Sequence, residues 1–130
     1  MENRFEEWLA KINSDDEFVR IEALEEVSSE ELFRDAAPFI IEKLEKDRSY
    51  LVRVSAAEAL CHFDREDVRL ALIKCIQQEE NYLVREYAVS SLGMIAGYDD
   101  LKFLIGLADS ENDPEILIHI YTGILIASRN

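Results

Sequence analysis

Leu51-Val52-Arg53-Val54-Ser55-Ala56-Ala57-Glu58-Ala59-Leu60 decides the fold, because variants of it recur along the chain. Phe18-Val19-Arg20-Ile21-Glu22-Ala23-Leu24-Glu25-Glu26-Val27 lies upstream, and Leu83-Val84-Arg85-Glu86-Tyr87-Ala88-Val89-Ser90-Ser91-Leu92 lies downstream. Each copy has Val-Arg, then Ala three residues after the Arg, then an aliphatic residue four further on. Val19 to Val52 is 33 positions and Val52 to Val84 is 32. Another 32 positions reach Ile116 in Asp113-Pro114-Glu115-Ile116, with Leu117 in place of the Arg and Ile124 in place of Leu92. A period in this range marks a stack of small structural units.

A second apolar strip runs in register upstream of the first. Ile40, Leu72 and Leu104 each lie 12 positions before the key aliphatic residue, followed by Ile41, Ile73 and Ile105, then Leu44, Ile76 and Ala108. Spacing of i, i+1, i+4 is one face of a helix. Trp8, Leu9 and Ile12 fit the same template, shifted by one. Each unit therefore holds two amphipathic helices. The first helices are expected near 3–13, 36–46, 66–78 and 99–108, and the second near 16–27, 49–62, 81–96 and 113–128. Pro38 and Pro114 suit first turns, Asp113 suits an N-cap, and Gly97 suits a helix C′ position. Ser28 to Asp35 is the longest link and has room for an extra helical turn.

Composition agrees with one all-α domain over 1–130, divided near 1–28, 29–63, 64–97 and 98–130. Apolar residues make up 48% and charged residues 32%, a globular balance. Only 4 Gly and 2 Pro occur, too few for a turn-rich β fold. The formal net charge is −14. That charge opposes direct binding to nucleic-acid phosphates and to anionic membranes, and it favours encounter with a basic protein. Met1-Glu2-Asn3-Arg4-Phe5-Glu6-Glu7 is acidic, unlike a secretion signal, and no 18-residue apolar run exists. A reduced, cytoplasmic setting is expected.

The chain resembles the HEAT-repeat family, including its shorter bacterial-type form known as PBS-lyase HEAT-like repeats. The resemblance rests on Asp47-x5-Arg53 with Ala56-Ala57-x-Ala59-Leu60, and on Ala37-Pro38-x-Ile40-Ile41-x-x-Leu44. It implies an α-solenoid of about four helix pairs, roughly eight helices, with second helices lining a concave side. It also implies that Arg20, Arg53 and Arg85 form a structural ladder. In such repeats the Arg pairs with an acidic residue about six positions upstream, here Asp47 for Arg53 and Glu79 for Arg85, with Asp15 and Asp16 near Arg20.

The expected partner-binding residues are those of the second helices that lie between core positions: Glu22, Glu25 and Glu26, then Glu58, then Glu86 and Tyr87, then His119 and Thr122. They form an acidic ridge with Tyr87 as an aromatic anchor. Ile21 and Val54 occupy a related position. No catalytic, cofactor or metal-binding residue is assigned. The carboxylates lack an apolar pocket to split their pKa values. His62 and His119 have no second ligand at helical spacing, and Cys61 and Cys75 form no CxxC pair. The last helix, 113–128, is apolar nearly all round and is a candidate homodimer contact.

The expected function is a non-catalytic protein–protein interaction module. Compact HEAT-like repeats occur among bacterial immunity proteins, so the resemblance points to a small acidic inhibitor of a basic toxin. A scaffold or assembly adaptor, or a helper subunit like those of bilin lyases, is the alternative.

Overall fold

The computed structural model describes residues 3–129. Met1, Glu2 and Asn130, which the expected domain bounds include, lie outside the described residues. Eight α-helices and three 3-10 turns account for most of these residues, with no strand among them. The α-helices are α1 Arg4–Ile12, α2 Glu17–Glu25, α3 Ala37–Lys46, α4 Tyr50–Ala59, α5 Glu66–Gln78, α6 Tyr82–Ile95, α7 Leu101–Ser110 and α8 Pro114–Arg129. They form four consecutive pairs, and each second helix packs on the next: α2 on α4, α4 on α6, α6 on α8. The architecture is an α-solenoid.

The second helices start where they do because their caps recur with the repeat. Asp16 accepts from the Phe18 N–H at 2.8 Å, Ser49 from Val52 at 3.4 Å, Asn81 from Leu83 at 2.9 Å and Asp113 from Glu115 at 2.9 Å. These side chains satisfy N–H groups that the first helical turn leaves free. The link from Ser28 to Asp35 does hold a helical turn, the 3-10 turn Glu31–Phe33. Two boundaries differ from the periodicity. The second helix of the second pair ends at Ala59 and tightens into a 3-10 turn, Leu60–His62. The fourth pair opens with another, Tyr98–Asp100, because the Asp100 carboxylate accepts from the Gly97 N–H at 2.8 Å. Gly97 follows Ala96 at the end of α6, yet its backbone is extended and not left-handed.

One continuous core runs through the stack. Ile40, Leu44, Val52, Leu60, Leu72, Val84, Leu92, Leu104 and Ile120 are fully buried, and Ala23, Ala56 and Ala88 let the helices approach. The Trp8 indole N–H donates to the Ala23 carbonyl at 2.7 Å and ties α1 to α2. Cys75 is buried and Cys61 partly so, and burial raises both thiols, Cys75 to about 12.

The two ends of the stack differ. Position 26 corresponds to 59, 91 and 123. Ala59, Ser91 and Gly123 are buried, and Ser91 donates to the Ala57 carbonyl of the preceding second helix at 2.6 Å. In the first pair, which has no predecessor among the described residues, this position is Glu26, and it is exposed. Position 24 corresponds to 57, 89 and 121. Leu24, Ala57 and Val89 are 2%, 0% and 4% exposed beneath the next pair, whereas Tyr121 is 54% exposed. The N-terminal end is thus charged and the C-terminal end apolar.

Helices α6 and α8 cross where two glycines meet. A Cβ on Gly93 would lie 2.6 Å from the His119 carbonyl oxygen, and one on Gly123 would lie 2.9 Å from the Gly93 Cα. Backbone blocks both positions, so neither has room to relax. Gly93→Ala is expected to destabilise by about 1–3 kcal/mol. Gly106→Ala, whose Cβ meets nothing within 4 Å, should instead stabilise α7 by about 0.5–1 kcal/mol. Urea denaturation of the two variants checks this, and equal effects would refute the crossing.

Candidate functional site

The recurrent arginines are held between pairs. Arg20 grips the Asp47 carboxylate with two hydrogen bonds, at 2.9 Å from Nε and 3.1 Å from Nη2, and both side chains are nearly sealed from water, 3% and 4% exposed. Nη1 of Arg20 donates to the Ser14 and Asp15 carbonyls. Arg53 repeats the arrangement. It donates to the Asp47 carbonyl at 2.9 Å and to the Glu79 carboxylate at 3.1 and 3.3 Å. This corrects the pairing that the family resemblance implied for Arg53 and Asp47. Arg53 meets only the backbone carbonyl of Asp47, six positions upstream, while the Asp47 carboxylate reaches back to Arg20 and the Glu79 carboxylate reaches back to Arg53. Each carboxylate also accepts the N–H two residues on, Ser49 for Asp47 and Asn81 for Glu79, which fixes its aim. Burial alone would raise the Asp47 carboxyl, but the Arg20 guanidinium and the Ser49 N–H outweigh it and hold it below the ordinary carboxylate value.

The ladder changes at the third rung. Arg85 donates to the Glu79 carbonyl at 2.5 Å and the Glu80 carbonyl at 2.8 Å, and its guanidinium lies 5.9 Å from the Tyr82 ring centre. Glu111 occupies the place of Asp47 and Glu79 and accepts from the Asp113 N–H at 3.1 Å. Arg85 and Glu111 border the same small gap of about 130 Å³, and no ion pair joins them among the described residues. Tyr82 bridges instead, its hydroxyl donating to the Asp113 carboxylate at 2.6 Å. That bond lifts the Tyr82 phenol to about 12 and lowers the Asp113 carboxyl.

The inner face of the stack is the surface that all four second helices share. Residues three and four apart on each helix line it: Phe18, Ile21 and Glu25 on α2, Leu51, Val54 and Glu58 on α4, Leu83, Glu86 and Ser90 on α6. Glu25 and Glu58 are exposed and Glu86 is half-buried at the seam toward α8. The other expected ridge members lie elsewhere. Glu22 and Glu26 both bond Lys11 of α1, Glu22 at 2.9 Å. These bonds, first to Glu26 and then to Glu22, raise the Lys11 pKa. Glu22 and Glu26 therefore close the N-terminal end of the stack. Tyr87 and His119 hold the position equivalent to Glu22, which faces the preceding second helix once one is present. Both are half-buried, and Tyr87 packs on the core.

The periodicity did not mark an exposed apolar row on this face. Phe18, Leu51 and Leu83 are 68%, 39% and 38% exposed, one in each of the first three pairs, with Tyr50 and Tyr82 beside them. They stand immediately before the Val of the repeat, where they read as the first apolar residue of a core motif. Their spacing of 33 and 32 was the available signal. An open groove of about 620 Å³ runs between the starts of α2 and α4, lined by Phe18, Tyr50 and Leu51 with Asp15, Asp16 and Arg48 at its edge. Among the described residues no three His, Cys, Asp or Glu side chains cluster for a metal, and no helix is long and apolar enough to cross a membrane. What the face offers is carboxylate and apolar contact.

The family model described as HEAT repeats matches residues 37–122. No curated protein matches the chain.

Breaking a buried ion pair from one side leaves the other charge uncompensated. Asp47→Asn is expected to cost about 3–5 kcal/mol, whereas Arg85→Met, which breaks no ion pair, should cost about 1 kcal/mol. The Asp47 carboxyl titrates below its unfolded value of 3.8, so its contribution is present above that pH and is lost as the pH falls through the folded value. In urea titrations the gap between wild type and Asp47→Asn should hold from about pH 7 to about pH 5 and shrink in more acid solution. A gap independent of pH would refute the assignment.

Proposed function

We propose, because this chain belongs to the HEAT-repeat family of protein–protein interaction modules, that its inner face binds a basic protein partner without catalysis. Support comes from the net charge of −14 together with Glu25, Glu58 and Glu86 on that face, while the adjoining groove carries Arg48 at its edge and Arg20, which Asp47 neutralises. Such a field speeds encounter with a cationic surface and rejects anionic ones. The chemistry suits a small acidic inhibitor of the immunity type, which would occlude the cationic site of a toxin. A cytoplasmic setting accords with the two free thiols. An assembly adaptor is the competing function and is distinguished by binding several partners and not one.

A second reading concerns self-association, favoured by the apolar C-terminal end. Ile105, Tyr121 and Leu125 are exposed there. Residues 116–128 carry no Asp, Glu, Lys or Arg in a chain that is 32% charged. The N-terminal end carries Glu22 and Glu26. Head-to-tail stacking would bury those carboxylates on an apolar surface, so two C-terminal ends pairing about a two-fold axis is the arrangement free of that cost.

Two measurements test these readings. Affinity capture from source-cell lysate at low salt should retain one basic protein on wild type, lose it on the Glu25→Lys/Glu58→Lys/Glu86→Lys variant, and lose it on wild type as salt rises. Equal capture by both forms would remove the acidic face from the account. Sedimentation equilibrium should give the mass of two chains for wild type and of one for Tyr121→Glu/Leu125→Glu. A single-chain mass for wild type at about 100 μM would exclude the dimer.

A further inference from the structure

The exposed apolar row and the carboxylate row share one geometry, and together they specify more than charge. Phe18, Leu51 and Leu83 occupy one position of successive second helices; Ile21 and Val54 follow three residues on, and Glu25 and Glu58 four residues beyond those. A helix rises about 1.5 Å per residue, so the carboxylate row runs about 10 Å from the Phe18–Leu51–Leu83 row. Between the two rows lies a strip about as wide as one helix, aliphatic on α2 and α4 at Ile21 and Val54 and acidic on α6, where the same position is Glu86. At the far end of the apolar row the equivalent position is Glu115, an exposed carboxylate.

Resting on the reading of the inner face as the binding site, we infer that its occupant is a basic amphipathic α-helix laid across α2, α4 and α6. Packed helices lie about 8–10 Å apart. A ligand helix advances about 10 Å in seven residues. One heptad of ligand therefore spans one pair of the solenoid, and apolar residues at i, i+7 and i+14 meet Phe18, Leu51 and Leu83 in turn. Residues at i+3 and i+4 fall on the Ile21–Val54 strip. Lys or Arg along one edge of the apolar stripe faces Glu25 and Glu58. An extended segment fits less well, because alternate side chains point to opposite faces and half of its apolar residues would face water. The surface thus reads two properties together, a helical apolar stripe and the side on which the positive charge flanks it.

The test uses the full chain and two synthetic peptides of identical Leu and Lys composition. One places Leu on a heptad stripe; the other is a scrambled isomer without it. Fluorescence anisotropy at low salt should show the striped peptide binding at least about tenfold more tightly than the scramble. Leu51→Asp/Leu83→Asp should abolish that preference while leaving the melting temperature close to that of wild type, since both side chains are exposed. Glu25→Lys/Glu58→Lys/Glu86→Lys should weaken both peptides. Equal affinity for the two peptides, or an undiminished preference in the Leu51/Leu83 variant, would overturn the helix inference and leave the acidic face intact as a charge-reading site. If neither peptide binds wild type, the inference and the inner-face reading fall together.

Discussion

A two-helix unit of this length cannot cover its own apolar surface. One flank of each pair must lie on its predecessor and the other under its successor, and most of the molecule follows from that demand. It explains why Leu24, Ala57 and Val89 are buried although they stand on one exposed-looking helical position. It explains why small residues recur at 59, 91 and 123, where the preceding second helix approaches most closely. It also explains why Gly93 and Gly123 are needed at one crossing, since a single methyl there would strike backbone.

The polar ladder answers the same demand by a different route. Burying an Arg between helix pairs is costly unless its donors are matched, and here each donor group has a directed acceptor. Arg20 and Arg53 use a carboxylate from the following pair and carbonyls from their own, so each rung joins three segments of chain. The rungs fix register more than they add stability, because a shift of one residue would leave a guanidinium buried without its partner. At the third rung Tyr82 and Asp113 take over, and at the fourth Leu117 replaces the Arg altogether. The ladder thus fades toward the apolar end of the stack, where packing of α6 on α8 carries the contact.

The candidate site was only partly legible in the residues. Glu25 and Glu58 stand on the inner face because position alone puts them there. Glu22 and Glu26 resemble them as polar residues between core positions of α2, although the repeat register aligns Glu26 with the buried Ala59, Ser91 and Gly123 and not with Glu58. The presence of Lys11 on a neighbouring helix, and the lack of a preceding pair among the described residues, separates an end cap from an inner ridge. Tyr87 and His119 show the converse: the same position turns inward once a preceding second helix lies against it. Phe18, Leu51 and Leu83 escaped notice because an apolar residue next to a core Val looks like core, and exposure depends on which way the whole helix is rotated.

By itself the sequence determined the all-α class, the four helix pairs, their approximate limits and the family, because periodic apolar spacing and recurrent caps are local properties of a chain. It also determined the overall acidic field. Tertiary structure decided which carboxylates meet which arginines, which glutamates are neutralised by Lys11, and which apolar residues stay in water. Those outcomes depend on what the neighbouring pair places opposite each position. The sequence gives a residue its place within a helix; only the stack gives that place its surroundings.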